Sequence, residues 1–186
     1  MLDLYNIFPK PVLVDTGVLS SKASAYEKRI KDLKETDQGA PRYDLTANMT
    51  FQSHAFLHED PVFADLVDSI YRNSKFFLHK LGCDHLVDKI KITNMWAVYY
   101  TAGEFVYPHV HPSCLVSGVY YVKGNGNITF IDNIQSMIQA NTTSELYKTH
   151  EEFSCSTDTM ILWKSDLLHG TQQATEEKIA ISFNLA

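Results

Sequence analysis

At 186 residues, the chain has the length of one domain, and a domain of this size buries roughly 70% of its unfolded surface. Hydrophobic residues make up 45% and charged residues 20%, the proportions of a globular protein in water. A formal charge of −6 with no Lys/Arg stripe argues against nucleic acid as a partner, and no apolar run approaches the roughly 20 residues of a membrane span.

The opening MLDLYNIFPKPVLV has no basic stretch followed by a long apolar core, so no signal peptide is expected. Residues 4–16 predict a short extended segment, with Pro9 and Pro11 marking a sheet edge. Residues 24–35 predict a helix opened by a capping box of Ser24 and Glu27. Its KRIKDLK run (28–34) reads as a solvated face. Residues 37–50, polar and broken by Gly39 and Pro41, predict a loop.

Asp60-Pro61 opens the clearest helix, with aspartate as N-cap and proline in the first turn. Phe63, Leu66, Val67, Ile70, Phe77, Leu78 and Leu81 recur at helical spacing, and Gly82 stops the pattern. From residue 90 the pattern changes to strands: KITNMWAVYYTAG, LVSGVYYVKG, NITFID, FSC, TMILWK and KIAISFNLA. Helices first and strands later predict a mainly β fold, with helices backing one face of a mostly antiparallel sheet or barrel. The expectation is one domain over 1–186, helical support at 20–90 and the β core at 90–186. The polar interruption at 133–152 reads as a lid or substrate loop. Cys83, Cys114 and Cys155 are odd in number and lack CxxC spacing, which predicts reduced thiols in a cytoplasmic protein.

The chemistry concentrates in GEFVYPHVHPSCLVSGVYY (103–121). Alternate residues of an extended chain point to one side, so His109 and His111 can aim at one point. A polar strand face is the other reading of that pair. His169, before a glycine at the end of MILWKSDLLHG, is the candidate third ligand, because a metal with an open position needs about three protein ligands. Imidazole suits several metals, so the residues do not choose one. Asp132, in TFIDN, is an alternative carboxylate ligand or a strand-end turn former. Lys178 opens an otherwise apolar strand, either as a surface lysine or as the cation for the far carboxylate of a chelated diacid. Asn94, Trp96 and Tyr100 share a strand face that packs the core or lines a cavity. Tyr107 and Tyr120 are further aromatics expected near the site.

NMWAVYYTAGEFVYPHVHPSCLVSGVYYV, followed by TMILWKSDLLHGTQQATEEKIAISFN, resembles the small 2-oxoglutarate/Fe(II)-dependent oxygenases that carry HxHP-x3-SG-x-YY and a terminal SFN. NIFPKPV and FQSHAFLHEDPVFADL extend the resemblance over nearly the whole chain. It implies a double-stranded β-helix (jelly-roll, cupin-like) core binding Fe(II), 2-oxoglutarate and O2. The implied reaction is hydroxylation coupled to 2-oxoglutarate decarboxylation, on a small molecule or a protein side chain. By position, His109 and His169 match the family's metal histidines and Lys178 its co-substrate cation. Asn94, Trp96, Tyr100, Ser182 and Asn184 are carried over as co-substrate neighbours. His111 stands where the usual HxD/E motif has a carboxylate, which implies either three histidines or recruitment of Asp132. Ala180 stands where an Arg-x-Ser pattern has serine.

Two other readings use the same residues. Gly103 with His109 and His111 fits half of a cupin metal motif, but the following glutamate and the second motif are absent; a cupin dioxygenase would use no 2-oxoglutarate. A jelly-roll binding module that has lost its metal is the non-catalytic reading.

Overall fold

The computed structural model describes residues 10–36, 39, 47–48, 50–132 and 150–186. Most of the loop expected at 37–50 and residues 133–149 of the expected lid lie outside the described residues. Residues 150–152 belong to a strand.

In chain order the elements are β1 (Val12–Thr16), α1 (Ala23–Thr36), β2 (Ala47–Asn48), β3 (Phe51–Gln52), α2 (Ala64–Lys80), β4 (Ile92–Tyr100), β5 (Phe105–Val106), β6 (Val116–Lys123), β7 (Asn127–Ile131), β8 (His150–Ser154), β9 (Thr159–Lys164), β10 (His169–Thr171) and β11 (Lys178–Leu185). A six-stranded sheet runs β1-β9-β6-β11-β4-β3, a smaller one runs β10-β7-β8, and β2 pairs with β5. Neighbouring strands are antiparallel throughout.

The large sheet is buried on both faces, which is why MILW and VSGVYYV read as continuous apolar runs. One face packs under the helices. Tyr26 and Ile30 of α1 and Leu66, Ile70, Phe77 and Leu78 of α2 join Met95, Tyr120, Met160, Ile181 and Phe183 in one cluster. The opposite face meets the small sheet. Val98, Tyr100, Val119, Tyr121, Ile161 and Trp163 pack there against Ile128, Phe130 and Phe153. Gly118 keeps room for the first cluster: a Cβ there would sit 2.3 Å from the Phe183 ring.

The second helix begins as expected. Asp60 Oδ1 accepts from the Val62 N–H at 3.0 Å, capping a 3₁₀ turn at Pro61–Phe63 that runs into α2, and Gly82 follows its end at φ +72°. The capping box of α1 is not observed. The Lys22 carbonyl accepts the first helical bonds, from Ala25 and Tyr26 N–H, so Ser24 already lies inside the first turn. Glu27 pairs with Lys31 instead, at 2.8 Å.

Candidate metal centre

Position in the sheets assigns each side chain to a layer. Along β11, Lys178, Ala180, Ser182 and Asn184 alternate onto the face turned to the small sheet, opposite Tyr100, Val98, Trp96 and Asn94 of β4 in that order. The face is therefore graded, with the lysine at one end and two asparagines at the other. Val119 and Tyr121 continue it on β6, and Ile161 and Trp163 on β9.

The histidine cluster sits above this face. His109 and His111 lie in an irregular extended segment between β5 and β6 rather than in a regular strand. His169 begins β10, a short strand where the sequence suggested a glycine turn. Backbone hydrogen bonds join the two pieces. His109 N–H donates to the His169 carbonyl at 2.9 Å, His169 N–H returns a bond to the His109 carbonyl at 3.0 Å, and His111 N–H donates to Ser165 at 2.9 Å. Gly170 permits this approach, since a Cβ there would lie 3.0 Å from both Pro108 N and Val106 O.

One ring nitrogen from each of His109, His111 and His169 falls within a group whose atoms all lie within 4.8 Å of one another. His109 Nδ1 is 2.8 Å from the Tyr107 carbonyl, and His169 Nδ1 is 2.8 Å from the Leu167 carbonyl. A carbonyl only accepts, so each Nδ1 carries the proton and each Nε2 keeps its lone pair. The Nε2 atoms of His109 and His111 are 3.1 Å apart. Burial, and then the neighbouring His109 and His111, push the His169 imidazole down to about 3, so it is neutral at pH 7. Imidazole nitrogens converging this closely fit a soft or borderline divalent cation. Trp96 stacks on His111 with ring centroids 5.9 Å apart, and Trp163 tilts against His169 at 4.6 Å. Both indoles fix ring orientation.

A cavity of about 340 Å³ opens at the cluster, lined among others by Gln52, Asn94, Trp96, Tyr100, Tyr121 and Thr171. Lys178 lies just behind that lining. The lysine is 0% exposed, its Nζ has no hydrogen-bond partner, and it sits 3.9 Å over the Tyr100 ring. Burial pulls its pKa below the ordinary lysine value. The same burial pushes the Tyr100 and Tyr121 hydroxyls well above theirs, so both stay protonated donors.

Other expected residues lie elsewhere. Asp132, at the end of β7, is ion-paired with Lys10 at 2.7 Å and half exposed, and it is not in the histidine group. Tyr120 points to the helix side, where its hydroxyl donates to Asp158 at 2.8 Å. Tyr107 is exposed and reaches the cluster only through its carbonyl. Tyr121, Trp163 and Gln52 were missed. With both sheet faces apolar, nothing local tells the side of Tyr120 from that of Tyr121.

Residues 94–184 match the family described as "Putative 2OG-Fe(II) oxygenase". This part of the chain is similar to the 2OG-Fe(II) oxygenases. The matched segment opens at Asn94 and closes at Asn184, so it holds all three clustered histidines and Lys178. Its family uses Fe(II), 2-oxoglutarate and O2. No curated protein sequence matches the chain. Solved structures do, at low identity. A prolyl-4-hydroxylase from Pseudomonas putida superposes with TM-score 0.67 at 9% identity, covering 95% of this chain and 92% of that one. HygX from Streptomyces hygroscopicus, solved with nickel, 2-oxoglutarate and hygromycin B, gives 0.68 at 15% identity, covering 95% and 83%. A prolyl hydroxylase from Trichoplax adhaerens, in complex with a hypoxia inducible factor peptide, gives 0.64 at 12%, covering 94% and 82%. These likenesses establish the jelly-roll fold for the chain.

Proposed function

We propose that the chain is a 2-oxoglutarate-dependent hydroxylase whose iron is held by His109, His111 and His169, with Lys178 serving the far carboxylate of the co-substrate. One observation carries the reading: the graded face has convergent imidazole nitrogens toward one end and a buried, unpartnered ammonium at the other. A dicarboxylate is the ligand that satisfies both ends. When bound, iron with 2-oxoglutarate and O2 supplies the oxidation of a substrate C–H bond, and the co-substrate leaves as succinate and CO2.

The protein's own contribution is placement. The carbonyls of Tyr107 and Leu167 hold the two Nδ1–H tautomers, keeping the Nε2 atoms as acceptors. Trp96 and Trp163 exclude water from two sides of the imidazoles. Tyr100, Tyr121 and Thr171 offer hydroxyls at the lysine end of the cavity. A lysine pairs with a carboxylate as a point charge, without the bidentate fork of arginine. Three neutral imidazoles leave the site one charge more positive than two histidines and a carboxylate would, which favours dianionic co-substrates.

The test is an anaerobic titration of Fe(II)-loaded protein with 2-oxoglutarate, followed by the visible charge-transfer band of the chelate. A band that saturates is the expected result. Iron binding without a band would overturn the co-substrate assignment and favour cupin-like chemistry; absence of iron binding would leave a binding module.

A further inference from the structure

Resting on that reading, the remainder of the cavity constrains the substrate. Once Lys178 is matched to a carboxylate, the described lining retains no formally charged side chain apart from the histidines. At the histidine end it offers carboxamides and a hydroxyl: Gln52, Asn94, Ser182 and Asn184. A polycation entering there would find no carboxylate, and a second anion would find no free cation.

Asn94 and Asn184 stand directly opposite one another in the β4–β11 register. Asn184 is tied from behind, because Ser117 Oγ donates to its Oδ1 at 2.6 Å, with Ser165 Oγ 2.8 Å from Ser117. Its carbonyl is thereby used, and its NH2 is what remains for the cavity. Asn94 is complementary: its Oδ1 is buried and has no hydrogen-bond partner. A donor and an orphaned acceptor thus stand on paired positions of neighbouring strands, two residues along β4 from Trp96. A carboxylate cannot satisfy an acceptor, and an ammonium cannot satisfy a donor. A neutral group with one N–H and one C=O on the same edge satisfies both. A carboxamide has that edge, and so does a single residue of an extended peptide, whose N–H and C=O point the same way.

We infer that Asn94 and Asn184 are specificity residues that receive an uncharged amide edge of the substrate beside the histidine cluster. The rim is in keeping with a neutral substrate, since Val110, which lines the cavity between His109 and His111, is an exposed apolar side chain.

The experiment uses Mn(II)-loaded protein saturated with 2-oxoglutarate. The Mn(II)-induced proton broadening of four probes is compared: propionamide, N-acetylglycine N-methylamide, propionate and propylammonium. At least one amide probe should broaden about tenfold more than the charged ones, as expected when mismatched polar groups are left unpaired. A response to propionamide alone identifies a carboxamide, and a response to the peptide probe alone identifies main chain. Asn94→Leu should remove the amide response and leave 2-oxoglutarate affinity in place, while Asn94→Asp should shift preference to propylammonium. Equal broadening by propionate or propylammonium overturns the inference. So does an Asn94→Leu variant that loses 2-oxoglutarate in proportion to the amide, since the pair would then serve the co-substrate. Failure of the parent protein to bind Mn(II) or 2-oxoglutarate, read separately from water relaxation, overturns the oxygenase reading and this inference with it.

Discussion

Lys178→Met separates stability from co-substrate binding, because the two should move in opposite directions. The Lys178 ammonium is fully buried with no hydrogen-bond partner, and leaving such a group unsatisfied costs about 1–3 kcal/mol. Its contact with the Tyr100 ring, 3.9 Å from the centroid, offsets roughly 0.5–1 kcal/mol of that. Methionine keeps the length of the chain and removes the polar head. The metal-free variant should therefore be more stable by up to about 2.5 kcal/mol, or up to roughly 10 °C in Tm for a domain of this size. The parent gains about 2.7 kcal/mol at a ligand concentration 100-fold above Kd, and the variant should lose most of that response. Thermal denaturation of metal-loaded protein with and without 2-oxoglutarate reads both effects. A variant that is less stable without ligand, yet still stabilised by 2-oxoglutarate, would refute both the unpartnered burial and the assigned role.

Two further outcomes follow from the histidine cluster. Gly170→Ala should push the Pro108 segment off β10, because its Cβ would meet backbone atoms at 3.0 Å; metal affinity should fall about 10–100-fold, as when support behind a ligand is lost, and unchanged affinity by metal titration would count against backbone-set spacing. The folded-state pKa of His169 is depressed to about 3, so its contribution in metal-free protein is fully present above the unfolded value near 6.5 and is lost as pH falls toward 3. Stability should decline there with a limiting slope of about 1.4 kcal/mol per pH unit. His169→Asn should flatten that decline in chemical denaturation series, and an unchanged slope would place the titration elsewhere.

Much of the site was legible because its signals are local. The HxH spacing needs only an extended backbone, and the Asp60-Pro61 start needs only one cap and one ring. Lys178 was legible as a cation on a strand, but its complete burial depends on β4 and on Tyr100 lying across it. The same limit explains the misplacement of Tyr120 and the absence of Tyr121 from the expected site. Where both sheet faces are apolar, composition cannot choose between adjacent residues, and one step along the strand exchanges cavity for helix contact. Asp132 lies outside the histidine group for a different reason: its partner Lys10 comes from the other end of the chain. Ser24 shows how a capping signature can slip when the backbone of Lys22 supplies the first helical acceptor two residues earlier.

The reciprocal pair of bonds between His109 and His169 joins strand segments that are remote in sequence, and closing it is a long-range event in folding. Two of the three imidazoles are brought together only after β10 has docked on the segment that follows β5. An ion captured there would act as a latch on that closure, and its escape rate would report how often the rung opens. Metal exchange would then be a clock for local unfolding at the mouth of the cavity, slow when the rung is shut and fast when it breathes.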